Sequence, residues 1–178
     1  MSELKLHFGC GKKKFPGYTN IDIDKNVEPD MVLDTSKVLP WKNEVDVIVS
    51  IHNLEHYKRK EIPQILENWY NALKPGGILR LSVPNFGAIV NHYIYYHDLD
   101  KLYGLLHGGL RNEYDIHYIS FDFKSLEMML KRVGFKEVKH YDRWETEHAN
   151  VDDYSAATLE PPFDRNGMLM SLNLEAIK

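Results

Sequence analysis

The sequence predicts an α/β protein on a doubly wound, mostly parallel sheet, and three observations carry that expectation. Short apolar runs closed by polar loops alternate with stretches of helical periodicity, the pattern of strand–helix–strand units rather than of a sandwich or a bundle. The run Val45-Asp46-Val47-Ile48-Val49 is almost continuously apolar, as a strand covered on both faces requires. Glycine and proline fall between the runs, at Gly9, Gly11, Pro16-Gly17, Pro75-Gly76-Gly77 and Pro84, where they punctuate elements instead of interrupting them.

Taken in order, Leu4 to Phe8, Thr19 to Ile23, Met31 to Leu33 and Val45 to Ile51 read as four short strands. A helix follows, because Ile62, Ile65, Leu66, Trp69, Ala72 and Leu73 recur at three- and four-residue steps, with Pro63 placed in the first turn where its missing N–H costs nothing. Lys74-Pro75-Gly76-Gly77 closes that helix, and Ile78 to Val83 makes a fifth strand ending at Pro84. Asp122 is placed to cap a helix with the apolar stripe Phe123, Leu126, Met129, Leu130 and Val133, stopped by Gly134. Phe135 to Tyr141 and Ser171 to Ile177 then complete a seven-stranded sheet, the latter as its last strand. Between Pro84 and Phe121 the pattern gives way to a Tyr- and His-rich stretch, so residues 84–120 are expected to form an aromatic-rich helical insertion, or lid, after the fifth strand.

Composition narrows the function. A chain of 178 residues with 43% hydrophobic and 27% charged residues suits a single domain, expected over 1–178. A net charge of −4 offers no long-range attraction to phosphate backbones, so no nucleic-acid partner is expected. Cys10 is the only cysteine, which excludes an intrachain disulfide and a cysteine-based zinc site. Met1–His7 lacks the features of a leader and no 18-residue apolar stretch occurs, so the expectation is a cytoplasmic protein without a membrane partner. Oligomeric state is left open.

The strongest local signal is Leu6-His7-Phe8-Gly9-Cys10-Gly11, an apolar strand running into a Gly-x-Gly turn that a ligand backbone can approach. A dinucleotide fingerprint would need a third glycine where Lys14 stands, which argues against a nicotinamide- or flavin-dependent oxidoreductase. The second signal is Asp22 at the end of the next strand, where a carboxylate can accept from both hydroxyls of a ribose. With Asp34 ending the third strand and Ser50-Ile51-His52 the fourth, four strand ends would line one crevice.

These residues, with Asp46 through His56, Leu73 through Pro84 and Phe121 through Phe135, resemble the class I, Rossmann-like S-adenosylmethionine (SAM)-dependent methyltransferases, in particular a small, type 11-like branch with a very short first helix. The resemblance implies SAM as cofactor. It places Phe8, Gly9, Cys10 and Gly11 under the methionine portion, Asp22 on the ribose, Ile23 against adenine, and Asp34 and Thr35 at the adenine amino group. Ser50 and Ile51 would meet the amino-acid end through backbone atoms. Only ten residues separate Gly11 from Asp22 (22 − 11 − 1 = 10), so a turn at Pro16-Gly17 replaces the usual helix.

Methyl transfer by in-line displacement needs positioning above all, and a hydroxyl acceptor must also lose its proton. His52 and His117 are the candidate bases, since a neutral imidazole suits that task. Glu55 and His56 could face the cleft, but they sit where the next helix would start, and a structural role at its N-terminus is the preferred reading for the acid. No metal site is expected. Tyr93-Ile94-Tyr95-Tyr96 would either stack on a sugar or flat acceptor or pack a lid helix; Lys12-Lys13-Lys14 and Lys58-Arg59-Lys60 hint at a phosphorylated or acidic one, with solvated surface as the preferred reading. The acceptor the resemblance implies is a small polar molecule, such as a sugar or nucleotide sugar, methylated on O or N. A non-catalytic SAM or S-adenosylhomocysteine (SAH) binding module is the alternative.

Overall fold

The apolar runs pair into one seven-stranded sheet. The computed structural model describes residues 3–160 and 166–178; of the stretch Met1–His7, residues 1 and 2 lie outside them. Strands β1 (Lys5–Phe8), β2 (Thr19–Asp22), β3 (Met31–Val32), β4 (Val45–Ile51) and β5 (Leu73–Pro84) run parallel to one another. The sheet is completed by β6 (Glu137–His140) and β9 (Ser171–Ile177), and its order is β3-β2-β1-β4-β5-β9-β6. Strand β9 lies antiparallel between β5 and β6, with Leu174 opposite Leu81. The last strand in sequence is therefore an interior one, which its mostly buried residues explain.

Chain direction through the sheet reverses between β1 and β4, where consecutive connections leave toward opposite edges. Crevices at the carboxyl ends of parallel strands form at such a switch point. Helices α1 (Ile62–Ala72) and α4 (Phe123–Val133) cover one face, burying Trp69, Leu126 and Leu130 with Phe8, Ile48 and Leu81 in a common core. The C-terminal carbonyls of α1 find partners in the chain entering β4, through Asn43 N–H to Asn71 O at 2.9 Å and Glu44 N–H to Ala72 O at 3.0 Å. Asp122 and Ser125 form the reciprocal cap of α4, and Gly134 ends it.

The other face is covered differently. The short β1–β2 connection has no room for a helix, and its Phe15 instead fills the space, stacked at 3.9 Å on His7 and at 4.4 Å on His148. Phe15 and Tyr18 make a second core with Val47, Val49 and Ile51. Glu147 pins the segment after β6 onto this face by accepting from the Tyr18 hydroxyl and from Arg80 Nη1, the latter at 3.0 Å.

After β5 the chain forms α2 (Phe86–Tyr96) and α3 (Tyr103–His107), and a small antiparallel pair, β7 (Thr158–Leu159) and β8 (Met168–Leu169), packs beside them. Tyr93, Ile94, Tyr95 and Tyr96 are exposed, so the aromatic stretch neither packs the helix down nor lines the cavity described below. No helix among the described residues is long and apolar enough to cross a membrane.

Candidate active site

At the tip of β1 the two glycines serve different needs. Gly9 has φ +65°, and a Cβ there would lie 2.4 Å from Asn53 Cγ. Gly11 has φ +49° with no atom within 4 Å of the place a Cβ would take. Its N–H donates to Asp22 Oδ2 at 2.8 Å, while Asp22 Oδ1 accepts from Asp24 N–H at 2.9 Å. The carboxylate is thus held by backbone, and each oxygen keeps acceptor capacity for a further donor. Between the glycines, burial pushes the Cys10 thiol up to about 12, and its Sγ lies 3.4 Å from Gly11 O.

At the tip of β4, His52 has φ +46°, a conformation costly for a non-glycine residue and concentrated at functional sites. Its N–H donates to Ser82 O at 2.8 Å, and its Nε2 lies 2.8 Å from Ser171 Oγ. Ser171 spends its one hydroxyl proton on Tyr154 O at 2.6 Å, so Nε2 carries the ring hydrogen and Nδ1 is an unprotonated acceptor. That Nδ1 faces Glu55 Oε1 at 3.4 Å.

Glu55 is fully buried in the turn Leu54–His56, and neither carboxyl oxygen has a hydrogen-bond partner. Burial pushes its carboxyl up to about 8. The expectation that it would satisfy a helix N-terminus is corrected: α1 begins only at Ile62, and the carboxyl group turns inward. His117 Nε2 faces the same oxygen at 3.8 Å, its Nδ1 donating to Leu105 O at 2.9 Å, and His56 Nδ1 donates to Ile116 O at 3.0 Å. Burial lowers the proton affinity of all three histidines, bringing His52 to about 3. With Nε2 of His52 and Nδ1 of His117 donating, the other nitrogen of each neutral ring is an acceptor.

Both tips open into one cavity of about 820 Å³, within the range of small-molecule and cofactor sites. Gly9, Cys10, Gly11, Asp22, Ile51, His52 and His117 all line it. Phe8, Ile23, Asp34, Thr35 and Ser50 are not in its lining. Phe8 is buried edge-on to Trp69, and Ser50 Oγ accepts from Asn53 Nδ2 at 3.1 Å. Asp34 accepts from Ser36 Oγ at 2.6 Å, Thr35 O accepts from Trp69 Nε1 at 2.8 Å, and Ile23 is exposed.

Sequence reasoning missed Asp153, Tyr154, Thr158 and Met170, which close the cavity from the segment after β6. No motif in the sequence marks them. Lys12 and Lys13 line the mouth, but Lys13 pairs with Asp152 at 3.1 Å. Lys58-Arg59-Lys60 stand away from it.

A sheet of this order with a cavity at its switch point is the architecture of the class I, Rossmann-like SAM-dependent methyltransferases. The chain belongs to the methyltransferase domain family, whose model matches residues 6–140. Solved structures agree on the fold. A SAM-dependent methyltransferase from Archaeoglobus fulgidus superposes with a TM-score of 0.62 at 16% identity, over 99% of this chain and 86% of that one. The putative methyltransferase in complex with the Trm112 activator of Haloferax volcanii gives 0.59 at 16%, over 98% and 81%. The 1,6-didemethyltoxoflavin-N1-methyltransferase of Burkholderia thailandensis, solved with SAH, gives 0.59 at 14%, over 98% and 70%. No curated protein matches.

Proposed function

We propose that this chain, acting as one domain with residues 84–120 as its lid, transfers a methyl group from SAM to a small polar acceptor, a sugar or nucleotide-sugar derivative being the leading class. The observation that supports this reading most is the joint opening of Gly11, Asp22 and the basic cluster around Glu55 into one cavity. The residues fit the cofactor: Gly11 leaves open space where a side chain would intrude, and Asp22 presents a backbone-held carboxylate. When bound, SAM supplies an electrophilic methyl carbon, so no covalent enzyme nucleophile is needed.

Gly9, Cys10 and Gly11 form the floor, Asp22 accepts from the ribose hydroxyls, and Ile51 adds apolar contact. Phe8 and Ser50 serve through backbone or packing. Ile23, Asp34 and Thr35 would serve the adenine end, for which the chain after β2 and the turn after β3 would have to reach inward. His52 and His117 hold the acceptor and take its hydroxyl proton; both are neutral at pH 7 and both face the cavity. Holding the reactants in line can contribute roughly 7–11 kcal/mol.

Calorimetry with SAH and with NAD tests the reading. Saturable SAH binding is expected; NAD binding without SAH binding would overturn it. Transfer of labelled methyl from SAM to a panel of sugars and nucleotide sugars then separates an enzyme from a silent binding module.

A further inference from the structure

We infer that Glu55, His56 and His117 form a site for one divalent transition-metal cation in the wall of this cavity. Among the described residues, one ligand atom from each of the three lies within 4.8 Å of the other two. Three points no more than 4.8 Å apart share a position within about 2.8 Å of each (4.8/√3), and zinc–nitrogen and zinc–oxygen bonds run about 2.0–2.2 Å. Side-chain shifts of under about 1 Å would therefore close the site, well within rotamer adjustment.

The proton inventory points the same way. His117 and His56 each give their Nδ1 hydrogen to a backbone carbonyl, Leu105 O at 2.9 Å and Ile116 O at 3.0 Å. This second contact is the one that orients metal-ligating histidines and leaves Nε2 as the ligand atom. His52 Nδ1 and His117 Nε2 approach Glu55 Oε1 at 3.4 and 3.8 Å, each beyond a good hydrogen-bond distance. A protonated Glu55 has one hydrogen and could serve one of them, across a gap longer than a good hydrogen bond. A cation satisfies the carboxylate and two imidazoles together. It also explains why a carboxyl group with both oxygens unpartnered is kept fully buried.

Two imidazoles and one carboxylate suit Zn²⁺, Mn²⁺ or Fe²⁺ better than the oxygen-preferring Ca²⁺ or Mg²⁺. His117 and His56 line the cavity, so the open coordination positions face it, where an oxygen of the acceptor can bind. That last step rests on the methyltransferase reading; the ion site does not. With the ion in place His117 becomes a ligand and no longer acts as a base. The ion would also staple the loop carrying His117 to the end of β4.

The test is equilibrium dialysis of the EDTA-treated full chain against ZnCl₂, with metal analysis, and titration with Co²⁺ read by its visible d–d absorption. One equivalent of Zn²⁺ and a saturable Co²⁺ spectrum are expected. Glu55→Gln, His56→Ala and His117→Ala should each weaken binding at least tenfold, and the exposed His97→Ala should not. Substoichiometric zinc, no Co²⁺ spectrum, or variants that bind as tightly as wild type overturn the site. The wild-type Co²⁺ titration decides the matter even if a variant does not fold. SAH calorimetry on the same samples keeps the two readings apart: zinc binding without SAH binding supports the site and counts against the proposed function, and SAH binding without zinc binding does the reverse.

Discussion

Gly9 and Gly11 are interchangeable as letters and different as positions. At Gly9 an alanine meets both a left-handed backbone and the Asn53 side chain, so Gly9→Ala should cost roughly 2–4 kcal/mol in urea denaturation. At Gly11 the methyl meets open space. Gly11→Ala should cost only about 1 kcal/mol in stability and yet lower SAH affinity about tenfold or more, near 1.4 kcal/mol, because the methyl enters the cavity. The opposite ranking of the two effects would remove Gly11 from the binding floor. Asp22→Ala should lose a charge-assisted hydrogen bond of about 1.5–3 kcal/mol to SAH, measured by calorimetry on folded protein. Cys10, with its thiol held at about 12, should resist iodoacetamide at pH 8 in the native state and react once unfolded. The glycines, Asp22 and His52 were legible because each ends a recognisable strand. Glu55 was misread because a carboxylate after a strand usually meets helix N–H groups, and sequence does not show that the helix waits until Ile62.

At the scale of elements, the segment after β6 is held by charge and hydrogen bonding as much as by apolar contact. Burial works against ionisation of Glu147, but the Tyr18 hydroxyl and the Arg80 guanidinium outweigh it and hold the carboxyl at about 2. A carboxylate depressed in the folded state contributes stability above its unfolded value of 4.5, and loses it as pH falls from there toward about 2. Glu147 is partly exposed, so solvent screening limits the effect to on the order of 1 kcal/mol. Glu147→Gln should therefore lower stability at pH 7 by that amount and make little difference near pH 2, in urea melts at both values. The seven strands and helices α1 and α4 followed from periodicity and caps. The pairing of Glu147 with Tyr18 did not, since 129 residues separate them and no local rule links them.

For the whole molecule, a ligand that binds the folded state alone stabilises it by RT ln(1 + [L]/Kd), about 2.7 kcal/mol at one hundred times Kd. In a chain of this size that is a rise in Tm of roughly 5–10 °C. SAH should produce it and NAD should not, by scanning fluorimetry. A shift with NAD alone would move the cavity to another chemistry. The cavity is shared among the tips of β1, β2 and β4, the loop after α3 and the segment before β9, so its stability is linked to the assembly of the entire sheet.

What the sequence determined by itself was the alternation of strands and helices, the glycine turn after β1, the acid after β2 and hence the side of the sheet on which the cavity opens. These are local properties, set by side-chain periodicity and backbone torsion within a few residues. Tertiary structure alone decided that β9 enters between β5 and β6, that Asp153 and Tyr154 close the cavity, and that Glu55 faces His52 and His117 with neither carboxyl oxygen hydrogen-bonded. Those facts depend on which distant segments share space, and pairing across a fold is fixed by the packing of the whole chain.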